Sequence, residues 1–277
     1  MDDVKVLYSS KRKQLLPNAI AFDLDETIGS FSDFHSIWAR LENNMKTQPT
    51  FNAIMDLYPE FLRVDIFSVL RYIRMKQLSG HCLPIFIYTN NQCENVHWIY
   101  QLIYYLESRV YPGTIVEMFA RPICAFEIRG KRIEPKRTTG EKTYSDFVSC
   151  SMLSTSHEVC FIDDLYHSKM KNRRVYYIQP PPYIHAISYR EVVDRFLMSD
   201  IYKRLYPERS ITPISVPIEP SHHTTDKVRT KKQEQQVTNK MMYYIREFFL
   251  VSSKKRSTKK RHAQIGNFSR KKRVNYK

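Results

Sequence analysis

The sequence predicts an α/β domain, a parallel sheet wrapped by helices, with a basic tail behind it. Short apolar runs alternate with longer helical patterns, which is how a sheet with crossover helices reads in sequence. The runs contain nothing polar, as expected of strands buried on both faces. Charge is segregated: from His222 to Lys277 there are 17 Lys/Arg and 3 Asp/Glu, leaving 27 basic and 25 acidic residues before them, although the whole chain carries +16.

The strands are expected at residues 19–22 (AIAF), 84–88 (PIFIY), 159–162 (VCFI) and 175–178 (VYYI). Helices are expected over 60–78, 94–107, 142–153 and 189–205. In the second of these, Val96, Ile99, Tyr100, Ile103 and Leu106 recur at helical spacing and predict a face packed on the sheet. Between residues 111 and 137 alternating and aromatic residues surround Gly130, which suggests a small β-hairpin or three-stranded insertion. The domain is expected over 1–205, with its core at 18–183. A Pro- and Ser-containing linker is expected over 206–240, then a tail over 241–277 with one helix near 241–251.

With 277 residues, abundant Tyr and Phe and no repeat, the chain can bury one sizeable core and is not a disordered polymer. Its five cysteines, Cys82, Cys93, Cys124, Cys150 and Cys160, form no C-x-x-C pair, so reduced thiols in an intracellular setting, nucleus or cytoplasm, are expected. No apolar run approaches the roughly 18 residues that span a bilayer, and the first residues lack a signal peptide's apolar core. No membrane partner is expected.

The chemistry concentrates in AIAFDLDETI, residues 19–28. Side chains alternate in extended chain, so Asp23 and Asp25 are expected on one side just past the strand's carboxyl end, the edge where open parallel sheets bind ligands. The same edge collects Thr89, after PIFIY, and Asp163 with Asp164, after VCFI. Four converging carboxylates require a compensating cation, and oxygen-only ligands select a hard ion, Mg²⁺ when a phosphate completes the shell. The metal ligands are therefore expected among Asp23, Asp25, Asp163 and Asp164. An aspartate is ionised at neutral pH and needs no base to act as a nucleophile, provided metal and a lysine relieve its repulsion from the phosphate. Asp23 is expected to attack phosphorus, and Asp25 to protonate the leaving oxygen and then activate water. Thr89 and the backbone N–H of Asn90 are expected to bind a phosphate oxygen.

DLDET at residues 23–27, YTN at 88–90, a downstream lysine and IDD at 162–164 resemble the four motifs of the haloacid dehalogenase superfamily. Within it the chain is similar to the RNA polymerase II C-terminal-domain phosphatase and small C-terminal-domain phosphatase group. MFARPICAFEIRG at 118–130 resembles that group's insertion, while FIDDLYHSKM and VYYIQPPPY resemble versions encoded by large nucleocytoplasmic DNA viruses. The resemblance implies a Rossmann-like sheet, Mg²⁺, an aspartyl-phosphate intermediate and a catalytic, phosphate-binding lysine, Lys142 first and Lys136 second. It covers residues 18–183. Asn90 and Asn91 stand where that group usually has small residues, and Asp164 where it often has Asn or Ser.

Only about 30 residues separate Ser30 from the next expected helix, too few for a large cap, and an open site suits a phosphorylated Ser or Thr in a protein. Arg121, Arg129, Lys131 and Arg132 are placed to attract acidic peptide. In the tail, KKRSTKKR at 254–261 and RKKR at 270–273 resemble nuclear-localisation or nucleic-acid-binding clusters, so nucleic acid or an acidic protein is an expected partner of 254–273. Two other functions fit the same residues: a polynucleotide 3′-phosphatase, and a catalytically inactive scaffold that binds nucleic acid through the tail. His167 and His185 are expected as surface or core residues, and the pair His222 and His223 lacks partner carboxylates.

Overall fold

The computed structural model describes residues 3–8, 16–91, 98–113, 117–207 and 228–272, with side chains through Val251. Its centre is a five-stranded sheet in the order β1-β7-β6-β2-β3. β2 (Asn18–Phe22) pairs in parallel with β3 (Cys82–Ile87) on one side and β6 (Val159–Ile162) on the other. β6 pairs in parallel with β7 (Val175–Gln179), and β1 (Lys5–Tyr8) closes the edge antiparallel to β7.

The four strands predicted from sequence are present, and alternation along them builds two cores. Ile20, Phe22, Ile85, Ile87, Cys160, Ile162, Tyr176 and Ile178 face one core. Ala19, Ala21, Phe86, Tyr88, Val159, Phe161, Val175 and Tyr177 face the other. β1 was not expected; it is short and lies close to the N-terminus.

The connection from β2 to β3 carries three helices, α1 (Ser32–Arg40), α2 (Gln48–Leu57) and α3 (Ile66–Leu78). The first two were not expected, although Phe34, Ile37, Trp38 and Leu41 recur at i, i+3, i+4 and i+7 and are all buried. They pack into the sheet's larger core through Phe34, Trp38, Phe51 and Ile54, so this connection is part of the domain and not a separate cap. The helix expected from residue 60 begins at Ile66, after a 3-10 turn at Pro59–Phe61.

α4 (Trp98–Val110) buries Trp98, Ile99, Leu102, Tyr105 and Leu106, whereas Tyr100 is exposed, one step off the expected face. Val96 lies outside the described residues. The insertion runs beside β3, with Ile123 N donating to Ile87 O at 2.8 Å and Thr89 N to Ile123 O at 2.9 Å. It then turns back as a hairpin of β4 (Glu127–Ile128) and β5 (Lys131–Arg132). The two turn residues, Arg129 and Gly130, have φ of 50° and 77°, the left-handed conformation that a two-residue hairpin turn demands.

α5 (Tyr144–Ser151) precedes β6, and the helix expected over 189–205 is two helices, α6 (Tyr189–Met198) and α7 (Asp200–Leu205). Ser199 divides them, its side chain accepting from Tyr202 N as an N-cap.

The linker expected over 206–240 ends early, because α8 runs Lys231–Lys272. Its start is a capping box: Gln233 N donates to Thr230 Oγ1 at 3.3 Å, and Thr230 N to Gln233 Oε1 at 2.8 Å. The polar stretch KKQEQQVTNK hides this helix from a search for apolar periodicity. The patch in 241–251 docks on the domain through Met241, Ile245, Phe248 and Phe249. The side chains of the clusters at 254–261 and 270–273 lie outside the described residues, as do His222 and His223. No described helix is long and apolar enough to cross a membrane.

Cys82, Cys150 and Cys160 are free thiols. Cys124 corrects the expectation of reduced cysteines throughout, because it is disulfide-bonded.

Gly29 ends the loop after β2. A Cβ there would lie 2.3 Å from Phe61 O and 2.6 Å from the Phe31 ring. Gly29→Ala should therefore destabilise the fold by about 1–3 kcal/mol. Urea unfolding measures this, and a loss below about 0.5 kcal/mol would show that the loop yields.

Candidate active site

β2 lies between β3, reached by the first crossover, and β6, reached by the second in the opposite direction. The carboxyl ends of β2 and β6 thus form a topological switch point, where open α/β sheets leave a crevice. Asp23 follows β2 directly and donates its N–H to Ile162 O at 2.8 Å; Asp163 follows Ile162. Parallel pairing therefore places the two carboxylates side by side, as their strand-end positions imply.

Lys142 bridges them. Its Nζ lies 2.5 Å from Asp23 Oδ1 and 2.8 Å from Asp163 Oδ2, and all three residues are buried. Lys142 just precedes Thr143, the N-cap of α5, which accepts from Asp146 N. Lys136, the second choice from sequence, is exposed on the insertion.

Asp164 completes the group. Its Oδ1 accepts from Thr27 Oγ1 at 3.0 Å, and Thr27 Oγ1 in turn accepts from Asp164 N at 3.0 Å. Ligand oxygens of Asp23, Asp163 and Asp164 all lie within 4.8 Å of one another. These donors are hard, buried and compensated by one ammonium, so they could hold a small hard cation such as Mg²⁺. Asp163 has both oxygens engaged, Oδ2 by Lys142 and Oδ1 by Leu165 N at 2.9 Å.

Asp25 departs from the expected ligand set. β2 ends at Phe22, so strand alternation does not govern Asp25, which lies outside the three-carboxylate group and accepts from Asn91 Nδ2. Burial raises Asp25 to about 6, Lys142 opposing and Asp164 adding to the rise. Burial also pushes Asp23 up despite Lys142 beside it, with Asp163 adding to the rise. Glu26, not singled out in the sequence, is raised to about 8 by burial and then by Asp25, Asp164 and Asp23.

Thr89 is buried at the end of β3, its Oγ1 accepting from Asn91 N at 3.0 Å. Asn90 is exposed, and its Oδ1 accepts from Arg137 Nη2 at 2.9 Å. Composition did not flag Arg137. It is fully buried, donating to Thr89 O at 3.1 Å, Cys124 O at 2.8 Å and the carbonyls of Gly140 and Glu141 at 3.1 Å. One guanidinium thus ties the loop after β3 to the turn that delivers Lys142.

Comparison with protein-family models, curated proteins and solved structures finds no match.

His167 is half-buried with Nε2 3.4 Å from Asp163 Oδ2, outside the three-carboxylate group. His185 is buried beside Asp33 at 3.3 Å. Of the basic residues expected to meet substrate, Arg121 pairs with Glu134 at 2.6 Å, and Arg132 stacks on Phe126 with its guanidinium 4.0 Å from the ring centre. Arg129 and Lys131 are exposed at the hairpin.

Magnesium should raise the thermal midpoint of the wild-type chain and leave that of Asp164→Asn unchanged. At a hundredfold excess over Kd the gain is about 2.7 kcal/mol. A wild-type midpoint indifferent to magnesium would remove the metal from this site.

Proposed function

We propose that this chain is a phosphomonoester hydrolase of the haloacid dehalogenase type, a protein Ser/Thr phosphatase resembling the C-terminal-domain phosphatases. One observation carries the reading: buried Lys142 stands between Asp23 and Asp163, with Asp164 in the same group, at the switch point of the sheet. Charged groups left in water need no such partner; here three carboxylates and an ammonium are buried together at the strand ends, the edge where open α/β sheets bind ligands.

In the first step an Asp23 carboxylate oxygen attacks phosphorus. The bond to the substrate oxygen breaks as the aspartyl-phosphate forms, and Asp25 gives its proton to the departing alkoxide. In the second step water attacks the phosphoryl group, Asp25 takes the proton of that water, and phosphate leaves with Asp23 restored. Lys142 neutralises charge on both Asp23 and the phosphoryl oxygens, and Thr89 with the N–H of Asn90 holds one of those oxygens. Asp23, Asp163 and Asp164 would hold Mg²⁺, which supplies charge neutralisation at the phosphoryl group.

The folding of the β2–β3 connection into the core, with no separate cap, favours a bulky substrate. Exposed Arg129 and Lys131 suit an acidic, multiply phosphorylated peptide.

Hydrolysis of an aryl phosphate should require Mg²⁺, stop with EDTA and vanish in Asp23→Asn. If Asp23→Asn retains the wild-type rate, the reading fails. A phosphopeptide and a 3′-phosphorylated oligonucleotide assayed side by side decide the substrate class, and preference for the oligonucleotide would overturn the protein-phosphatase assignment.

The first step needs Asp25 protonated. Asp25 is raised to about 6, so its proton is available below that pH and lost above it, while Asp23, raised to about 7, would be kept ionised by the Mg²⁺ that it would hold with Asp163 and Asp164. Single-turnover formation of the aspartyl-phosphate should then fall about tenfold per pH unit on the alkaline side. Asp25→Asn should abolish this limb and slow the step roughly 100- to 10,000-fold.

A further inference from the structure

We propose that the C-terminal helix α8 is a working part of the catalytic loop: Glu234 holds Arg63, and Arg63 positions the loop that carries Asp23, Asp25 and Thr27. The proposal rests on the hydrolase reading for its consequence in rate, but its structural half can be tested without it.

Arg63 is almost completely buried. Its Nε donates to Thr27 O at 2.7 Å, and its Nη2 donates to Glu26 O at 2.6 Å and Pro181 O at 2.9 Å. Its backbone N–H donates to Ile28 O at 2.9 Å. Three consecutive carbonyls of the loop after β2 are thus held by one residue. That loop includes Glu26 at positive φ, a conformation that needs support from outside.

The remaining Arg63 donor, Nη1, points to Glu234 Oε2 at 3.3 Å, in the first turn of α8. Glu234 is equally buried and also accepts from Arg229 Nη1 at 3.3 Å, while Arg229 Nη1 reaches Pro182 O at 2.9 Å. The next residues of α8 grip the neighbours of Arg63. Gln235 Nε2 donates to Asp65 Oδ2 at 3.0 Å, and Thr238 Oγ1 to Val64 O at 2.7 Å.

From Arg63 the chain of contacts leads directly into the acid group. Thr27, whose carbonyl Arg63 holds, donates its hydroxyl to Asp164 Oδ1 and accepts from Asp164 N. A displacement of Thr27 therefore moves a proposed metal ligand and the residues flanking the nucleophile.

A helix that only covers a sheet face needs an apolar stripe, and α8 has one further along, at Met241, Ile245, Phe248 and Phe249. Its first turns do something else. They bury a carboxylate against a guanidinium, an arrangement that adds little stability over apolar packing, and its use under the proposal is to fix the position of Arg63.

The test uses the full chain with Glu234→Ala, Glu234→Gln and Arg63→Lys. Steady-state hydrolysis of an aryl phosphate gives kcat and KM, and amide exchange is followed at Asp164, whose N–H is held by Thr27, and at Ala120, whose N–H donates to Ile85 O within the edge strand β3. Glu234→Ala should lower kcat roughly 10- to 100-fold with KM within about twofold. Exchange at Asp164 should quicken while that at Ala120 does not change. Glu234→Gln, which keeps an acceptor for Arg63, should recover most of the rate. Arg63→Lys keeps a buried cation and the backbone bond to Ile28 O but cannot span the carbonyls of Glu26, Thr27 and Pro181, so it should behave as Glu234→Ala.

Wild-type kcat in folded Glu234→Ala, or exchange that quickens equally at both amides, overturns the proposal. If Glu234→Ala does not fold, Arg63→Lys decides by the same two readouts. A wild-type chain inactive on every phosphomonoester would sink the hydrolase reading alone, because the exchange at Asp164 still reports whether α8 holds the loop.

Discussion

The ammonium of Lys142, buried between the carboxylates of Asp23 and Asp163, is the contact on which the rest of the site depends. Three aspartates cannot stay ionised together out of water without a cation among them, and removing one member of such a buried pair costs about 3–5 kcal/mol. Everything around the crevice serves to hold that ammonium and those oxygens in place. The parallel pairing of β2 with β6 sets Asp23 beside Asp163, and the Thr143 cap of α5 fixes the backbone that delivers Lys142.

Two buried arginines do for the loops what hydrogen-bonded pairing does for the strands. Arg63 gathers the carbonyls of the loop after β2, and Arg137 gathers those of the loop after β3 together with the turn before Lys142. A planar guanidinium with five donors suits this task, because carbonyls in irregular chain have no ladder partner and must be satisfied some other way. Both side chains lie over tyrosine rings, Arg63 over Tyr183 and Arg137 over Tyr88, which stabilises the cations further. Both flanks of the site are therefore loops whose carbonyls are satisfied by a buried guanidinium.

Burial raises both carboxylates of the short motif, Asp25 to about 6 and Asp23 to about 7, with Lys142 opposing the rise at each. Their partners differ: Asp23 meets the Lys142 ammonium, and Asp25 accepts from Asn91 Nδ2.

The sequence by itself determined the four parallel strands and the meeting of Asp23, Asp163 and Asp164 at their ends, because apolar alternation and strand polarity are local properties. It also ranked Lys142 above Lys136. Tertiary structure decided that Asp25 meets Asn91 and lies outside the three-carboxylate group, that Thr27 secures Asp164, and that Arg63, Arg137 and Glu234 frame that group. These residues meet across 137 to 171 positions of sequence in the cases of Thr27 with Asp164 and Arg63 with Glu234, and no periodicity spans such gaps. A buried charge is legible only once its partner has been brought to it by folding.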